Sequence, residues 1–344
     1  MRNQWNDKIF EIDETGFERL ALETFHFQYR YNHIYKAYVD MLAIHPGEVT
    51  TLVQIPFLPI QFFKTHTVKT TEFEPQVVFE SSGTTGSVRS CHCIKDIELY
   101  KRSFVKAFES VYGSVSEWCI IGLLPSYLER ENSSLIFMVD NLIKKTGHPQ
   151  SGFYLDQDEK LYKTLNALEE AKQKTILIGV SFALLDFAEK YSLPLKQTVI
   201  LETGGMKGRR KEMVRQELHC ILQDRFKTDM IHSEYGMTEL LSQAYSKGRG
   251  IFYCPPWMNL LIRDEEDPFR VINRESLAKA DLLSTNDQPV KSERGIINII
   301  DLANLYSCSF IATDDAGLLY QDGGFEVIGR IDSSDVRGCS LMAM

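Results

Sequence analysis

Apolar and polar positions follow two different rhythms along the chain. Between residues 13 and 42, Phe17, Leu20, Ala21, Phe25, Gln28 and Asn32 recur at near-helical spacing. This predicts one or two helices laid over another part of the molecule. Phe25, Phe27, Tyr29, Tyr31, Tyr35 and Tyr38 make the same stretch rich in rings, which suits either packing or a ligand-gathering box. After Pro56 and Pro59 the rhythm changes. A short apolar run at 77–79 reads as a strand, a Ser/Thr/Gly-rich segment follows, and 94–112 reads as a helix. Apolar runs at 118–124, 175–179, 198–201 and 229–231 read as buried strands, with amphipathic helices at 133–145, 158–172, 182–190 and 209–225 between them. That alternation predicts an α/β fold with a largely parallel sheet. Beyond about residue 245, runs at 260–263, 295–300, 309–313, 317–320 and 325–328 are separated by Gly, Asp and Asn, which predicts a β-rich end. The expected division is a helical covering segment (1–75), an α/β core (76–248), a β-rich subdomain (249–330) and a short tail (331–344).

Composition narrows the function classes. With 344 residues the chain can build a sizeable core, and 44% apolar against 25% charged residues is ordinary for a globular protein. Thirty-eight basic against 47 acidic residues leave a net charge of −9, which argues against a nucleic-acid clamp. Seven cysteines are scattered, and Cys91 and Cys93 lack CxxC spacing. The N-terminus carries no apolar signal core, and no apolar run reaches the length of a membrane span. The expected location is therefore cytoplasmic and reducing.

Four segments carry candidate chemistry. Ser82, Gly83, Thr84, Thr85 and Gly86, closing with Arg89, lie between a predicted strand and helix, where small residues let backbone N–H groups surround phosphate oxygens. The spacing is not that of a P-loop. Glu202 to Arg210 places Gly204 and Gly205 at a strand end, where ligands gather in α/β sheets. Glu234 to Glu239 offers Tyr235 as a flat ring, Gly236 for a turn, Thr238 for phosphate and Glu239 as an oxygen ligand for Mg²⁺. Asp314 and Asp315, followed by Arg330, supply acceptors for ribose hydroxyls and a cation to bridge ribose and phosphate. Each segment alone also reads as a plain turn or surface loop.

In order and content these segments resemble the adenylate-forming superfamily, which includes acyl- and aryl-CoA ligases, peptide-synthetase adenylation domains and firefly luciferase. The places of its Ser-Gly-Thr-Thr-Gly-x-Pro-Lys, Gly-rich, Tyr-Gly-x-Thr-Glu, Thr-Gly-Asp and Gly-Arg-x-Asp motifs are taken by Ser82–Gly86, Gly204–Gly205, Tyr235–Glu239, Thr313–Asp315 and Gly329–Asp332. Val88 and Arg89 replace the Pro and Lys of the first loop, and Asp314 replaces the Gly of Thr-Gly-Asp. The segments 124–130, 202–205 and 335–341 further resemble the acyl-protein synthetase component of bacterial fatty acid reductases.

The resemblance implies an adenylate-forming core with its mobile C-terminal domain truncated, and ATP and Mg²⁺ as cofactors. Ser82, Gly83, Thr84, Thr85, Gly86 and Arg89 would hold the β- and γ-phosphates, and Tyr235 with Gly204 and Gly205 the adenine. Thr238 would meet the α-phosphate, Glu239 the metal, Asp315 the ribose, and Arg330 ribose and phosphate. Cys339 stands where that family carries its acyl group, as a thiolate nucleophile on a short tail. The substrate implied is a fatty or other carboxylic acid, and the partners an acyl reductase or acyltransferase. Lys207 or a partner's residue would replace the superfamily's C-terminal lysine. A CoA- or carrier-dependent ligase and a non-catalytic nucleotide-binding subunit are the alternatives. His92 and His232 are expected to be structural or substrate-side residues.

Overall fold

A computed structural model describes residues 2–81, 88–124, 132–204, 213–274 and 292–330. The first helices are α1 (Arg2–Phe10), α2 (Glu14–Tyr31) and α3 (His33–Met41). Asp13 caps α2 by accepting from the Gly16 N–H. Asn32 both ends α2 and caps α3, accepting from the Tyr35 N–H at 3.0 Å. The aromatic run therefore forms two helices, and its rings pack. Phe25 and Tyr35 are fully buried against Phe310. The Gln28 amide donates to the Leu305 carbonyl at 2.9 Å and accepts from the Ser309 N–H at 2.9 Å. These buried bonds fasten the N-terminal helices to the far end of the sequence.

Next come a short strand, β1 (Leu58–Pro59), the single-turn helix α4 (Phe62–Thr65), and the antiparallel pair β2 (Val77–Glu80) and β3 (Cys91–Ile94). The segment 94–112 was expected to be all helix. Instead, residues 91–94 pair with β2, and α5 spans Ile97–Tyr112, capped by Asp96. The β2–β3 ladder thus pairs residues that flank the Ser/Thr/Gly segment in sequence.

The central sheet follows the expected alternation: β4 (Cys119–Leu123), α6 (Ser134–Thr146), β5 (Gly152–Phe153), α7 (Asp158–Glu170), β6 (Thr175–Val180), α8 (Ser181–Lys190), β7 (Thr198–Thr203), α9 (Arg215–Phe226), β8 (His232–Tyr235) and β9 (Ala244–Ser246). Strand order is β5-β4-β6-β7-β8-β9, parallel except for the β8–β9 pair. Strands β4 and β6 are buried along their whole length, as strands covered on both faces must be. The run expected at 229–231 lies just before β8, so the strand carries Glu234 and Tyr235 themselves.

A second, mostly antiparallel sheet contains β10 (Met258–Arg263), β11 (Val271–Ile272), β12 (Ser292–Asp301), β13 (Phe310–Tyr320) and β14 (Phe325–Arg330), with β1 parallel along β13. The runs at 309–313 and 317–320 are one continuous strand. The acidic residues between them, read from sequence as a turn, lie within it at an irregularity of the β12–β13 register between Ile296 and Asn298. There Thr313 Oγ1 donates to the Ile297 carbonyl at 2.8 Å and accepts the Asp315 N–H at 3.1 Å. A side chain supplies the bonds that the disturbed ladder gives up. One hydrophobic core runs through helices and both sheets.

Candidate active site

The carboxyl ends of β7 and β8, the middle of β13 and the end of β14 meet on one face. β8 ends in Tyr235, and the chain turns at Gly236, where an added Cβ would crowd Glu234 Oε1, so a larger residue would displace that carboxylate. The turn's backbone is then fixed from below. His92 Nδ1, from β3, lies 2.8 Å from the Thr238 carbonyl, and its Nε2 lies 2.9 Å from Asn304 Oδ1. Asn304 Nδ2 donates to the Glu239 carbonyl at 2.8 Å. Burial pushes the His92 pKa down to about 4, and the ring serves as a bracket. His232, also held down to about 4 by burial, meets the Tyr112 hydroxyl at 3.1 Å and stacks on that ring. Both histidines have structural roles in these contacts.

Asp301, at the end of β12, completes the bracket. It accepts from the N–H groups of Leu241 (2.8 Å), Ser242 (2.9 Å) and Ala303 (3.1 Å) and from Ser242 Oγ (2.6 Å). Sequence reasoning missed His92's contacts, Asn304 and Asp301 as supports of this turn. A lone Asp or Asn gives no periodic signal, and the turn residues these two hold lie 59 to 65 positions away.

Above the bracket sits a charged rim. Register places Asp315 of β13 opposite Arg330 of β14. Arg330 Nε lies 3.2 Å from Asp315 Oδ1, and the Tyr235 hydroxyl donates to Oδ2 at 2.8 Å. Three predicted residues from two sheets thus share one carboxylate. The Tyr235 ring is buried beside Phe252 and Phe325, so aromatic packing fixes its position. The Arg330 side chain remains 65% exposed. Glu239 is buried; burial raises its pKa, while a hydrogen bond from Ser90 and the charges of Arg330 and Lys64 pull it back. Thr238 is half-buried beside it.

At the end of β7, Gly204 adopts φ 68°, a left-handed conformation suited to glycine. The Ser181 hydroxyl lies 2.8 Å from both the Gly204 carbonyl and Glu202 Oε1. Glu202 is buried but kept ionised by His219 and Arg215, which overcome desolvation. Thr203, the last residue of β7, donates to Glu234 on β8, whose pKa burial lifts to about 7.

Arg89 stands at the foot of the phosphate-loop candidate and pairs with Glu80 at 3.1 Å. The Ser90 N–H donates to Ser81 Oγ at 2.9 Å, closing the base. Ser82, Gly83, Thr84, Thr85, Gly86, Gly205, Lys207 and Cys339 lie outside the described residues. Among the described residues, no group of three or more His, Cys, Asp or Glu is arranged to hold a metal. No helix among them is long and apolar enough to cross a membrane.

This fold is that of the N-terminal region of adenylate-forming enzymes. The chain is similar to the solved McyG A-PCP structure complexed with phenylalanyl-adenylate, with 13% identity, TM-score 0.50, and coverage of 83% of this chain and 50% of that one. It is also similar to O-succinylbenzoate coenzyme A synthetase from Bacillus subtilis in complex with AMP, with 17% identity, TM-score 0.48, and coverage of 75% and 49%. The chain thus spans about half the length of these structures. No curated protein matches it. The family described as acyl-protein synthetase, LuxE, matches residues 9–344, and the chain belongs to that family.

Proposed function

We propose that this chain is an ATP-dependent acid–thiol ligase that activates a fatty acid as acyl-AMP and passes the acyl group to Cys339 as a thioester. The single observation that most supports this reading is the Asp315 carboxylate, engaged at once by Tyr235 and Arg330 beside the Glu239 turn. A ribose diol needs an acceptor of this kind, and the adjoining guanidinium suits a phosphate. In this reading Ser82, Gly83, Thr84, Thr85, Gly86 and Arg89 hold the β- and γ-phosphates. Gly204, Gly205 and Tyr235 border the adenine, with Gly236 giving the turn its close approach. Thr238 meets the α-phosphate.

The donor set fits Mg²⁺ carried in on a nucleotide. Glu239 is a single carboxylate, and this ion is commonly held by one or two carboxylates plus substrate phosphates. The bound ion supplies charge neutralisation on the phosphates. The protein positions the substrate carboxylate, whose oxygen bonds the α-phosphorus as the bond to pyrophosphate breaks. In the second step the Cys339 thiol gives up its proton to solvent. The thiolate bonds the acyl carbon, and the acyl–phosphate C–O bond breaks with its electron pair leaving on AMP. An acyl reductase or acyltransferase is the partner that removes the thioester.

Labelled fatty acid and ATP should label the protein in a hydroxylamine-sensitive form, and Cys339→Ser should abolish the label. Undiminished labelling of Cys339→Ser overturns the acceptor assignment. Acyl transfer to added CoA without protein labelling overturns the protein-thioester step in favour of a CoA ligase. ATP binding without acid-dependent pyrophosphate exchange reduces the protein to a binding subunit.

A further inference from the structure

The segment after Pro56 brings another cation to the rim. β1 lies parallel to β13, with Leu58 beside Ile311 and Pro59 beside Ala312, and the Ile60 N–H donates to the Ala312 carbonyl at 2.9 Å. The Gln61 side-chain amide then bonds the Asp314 carboxylate. This contact gives a role to the acidic residue that departs from the superfamily's Thr-Gly-Asp: it docks the preceding segment onto β13. Two residues on, α4 buries Phe63 edge-on against the His92 ring, with centroids 5.8 Å apart. That same ring meets the Thr238 carbonyl.

Lys64 is therefore anchored on both sides, by Gln61 to β13 and by Phe63 to the Thr238 bracket, yet it is exposed. Its charge lowers the pKa values of both Glu239 and Asp314, in each case against burial, the larger influence. Two neighbouring cations already have protein partners. Arg330 holds Asp315, while Arg263 donates to Asn298 Oδ1 and the carbonyls of Ile297 and Thr313. Among the described residues, the Lys64 ammonium has no hydrogen-bond or ion-pair partner.

We propose that Lys64 is a catalytic residue of the adenylation step, its ammonium meeting the substrate carboxylate and the α-phosphate oxygens as the new O–P bond forms. The inference rests on the adenylation reading above. No proton moves in this role: the ammonium donates hydrogen bonds to oxygens that gain charge while pyrophosphate departs with the electron pair of the broken bond. A compact, mobile ammonium suits oxygens that change position during the reaction.

The test is acid-dependent ATP–pyrophosphate exchange with a panel of saturated fatty acids. ATP affinity is measured separately by calorimetry, for wild type, Lys64→Ala, Lys64→Arg and the surface control Lys163→Ala. Lys64→Ala should lose about a hundredfold in maximal exchange rate, with Lys64→Arg recovering part of it. ATP affinity should shift by no more than about threefold, and Lys163→Ala should match wild type. Wild-type exchange with Lys64→Ala within about threefold of it overturns this proposal alone. A loss confined to ATP affinity also overturns it, because Lys64 would then be only a phosphate contact. Absence of exchange in wild type with every acid fails the adenylation reading itself. Matching thermal melts for both Lys64 variants separate these outcomes from misfolding.

Discussion

Asp301 and Asp315 lie on neighbouring strands of one sheet and differ in how their lone pairs are used. Asp301 is fully buried and takes four donors, which fill the roughly four acceptor positions a carboxylate offers. Burial still lifts its pKa to about 6. Among the described residues, Asp315 takes two side-chain donors, Tyr235 and Arg330, and its guanidinium partner is largely exposed. One carboxylate is saturated and holds a turn in shape. The other retains acceptor capacity beside an accessible positive charge, as a ligand site requires. Residue type is the same in both places and both carboxylates are buried; the count of donors and the exposure of the Arg330 partner distinguish them.

The contrast can be broken most forcefully at the scaffold. Asp301→Ala leaves three backbone N–H groups without their acceptor and should cost about 4 kcal/mol of stability in urea unfolding. A loss below about 1 kcal/mol would show that the bracket contributes little. At the site the effect should fall on rate. Glu239→Ala should lower acid-dependent pyrophosphate exchange about a hundredfold, a change of about 2.7 kcal/mol. Retained exchange removes Glu239 from metal binding.

A third prediction uses pH. The pKa of Glu234 is raised in the fold, so the native state keeps a proton that the unfolded chain releases. Its contribution is fully present below about pH 4.5 and is lost as pH rises through about 7. Glu234→Gln keeps an acceptor for Thr203. It should therefore gain on wild type by about 2 kcal/mol between pH 5 and 7.5 in unfolding experiments. A pH-independent difference would contradict the buried, protonated state. The smallest stability effect is expected at Arg89→Ala, because the Glu80 pair is substantially exposed. Stability should move by no more than about 0.5 kcal/mol, while the KM for ATP rises.

Much of this architecture was legible in the sequence because periodicity and strand-end chemistry are local. The buried runs of β4, β6 and β7 announced a parallel sheet, and Tyr235, Glu239, Asp315 and Arg330 stood out as residue types in order. Their convergence on one face follows from pairings the sequence does not display, such as Asp315 opposite Arg330 across β13 and β14. The acidic stretch of β13 resembled a turn because Asp and Gly disfavour strands. Thr313 and Arg263 keep it extended by bonding its backbone and that of β12. Lys64 and Gln61 gave no signal, since their roles exist only once β1 lies along β13.

We propose that Asp315 belongs to an adenylate-forming site while Asp301 only supports it. Fatty-acid-dependent exchange of labelled pyrophosphate into ATP, measured on Asp315→Asn after its urea midpoint has been shown to match wild type, tests this most directly. Wild type should exchange robustly, and the variant should lose about a hundredfold. Equal exchange in a normally folded Asp315→Asn protein would contradict it.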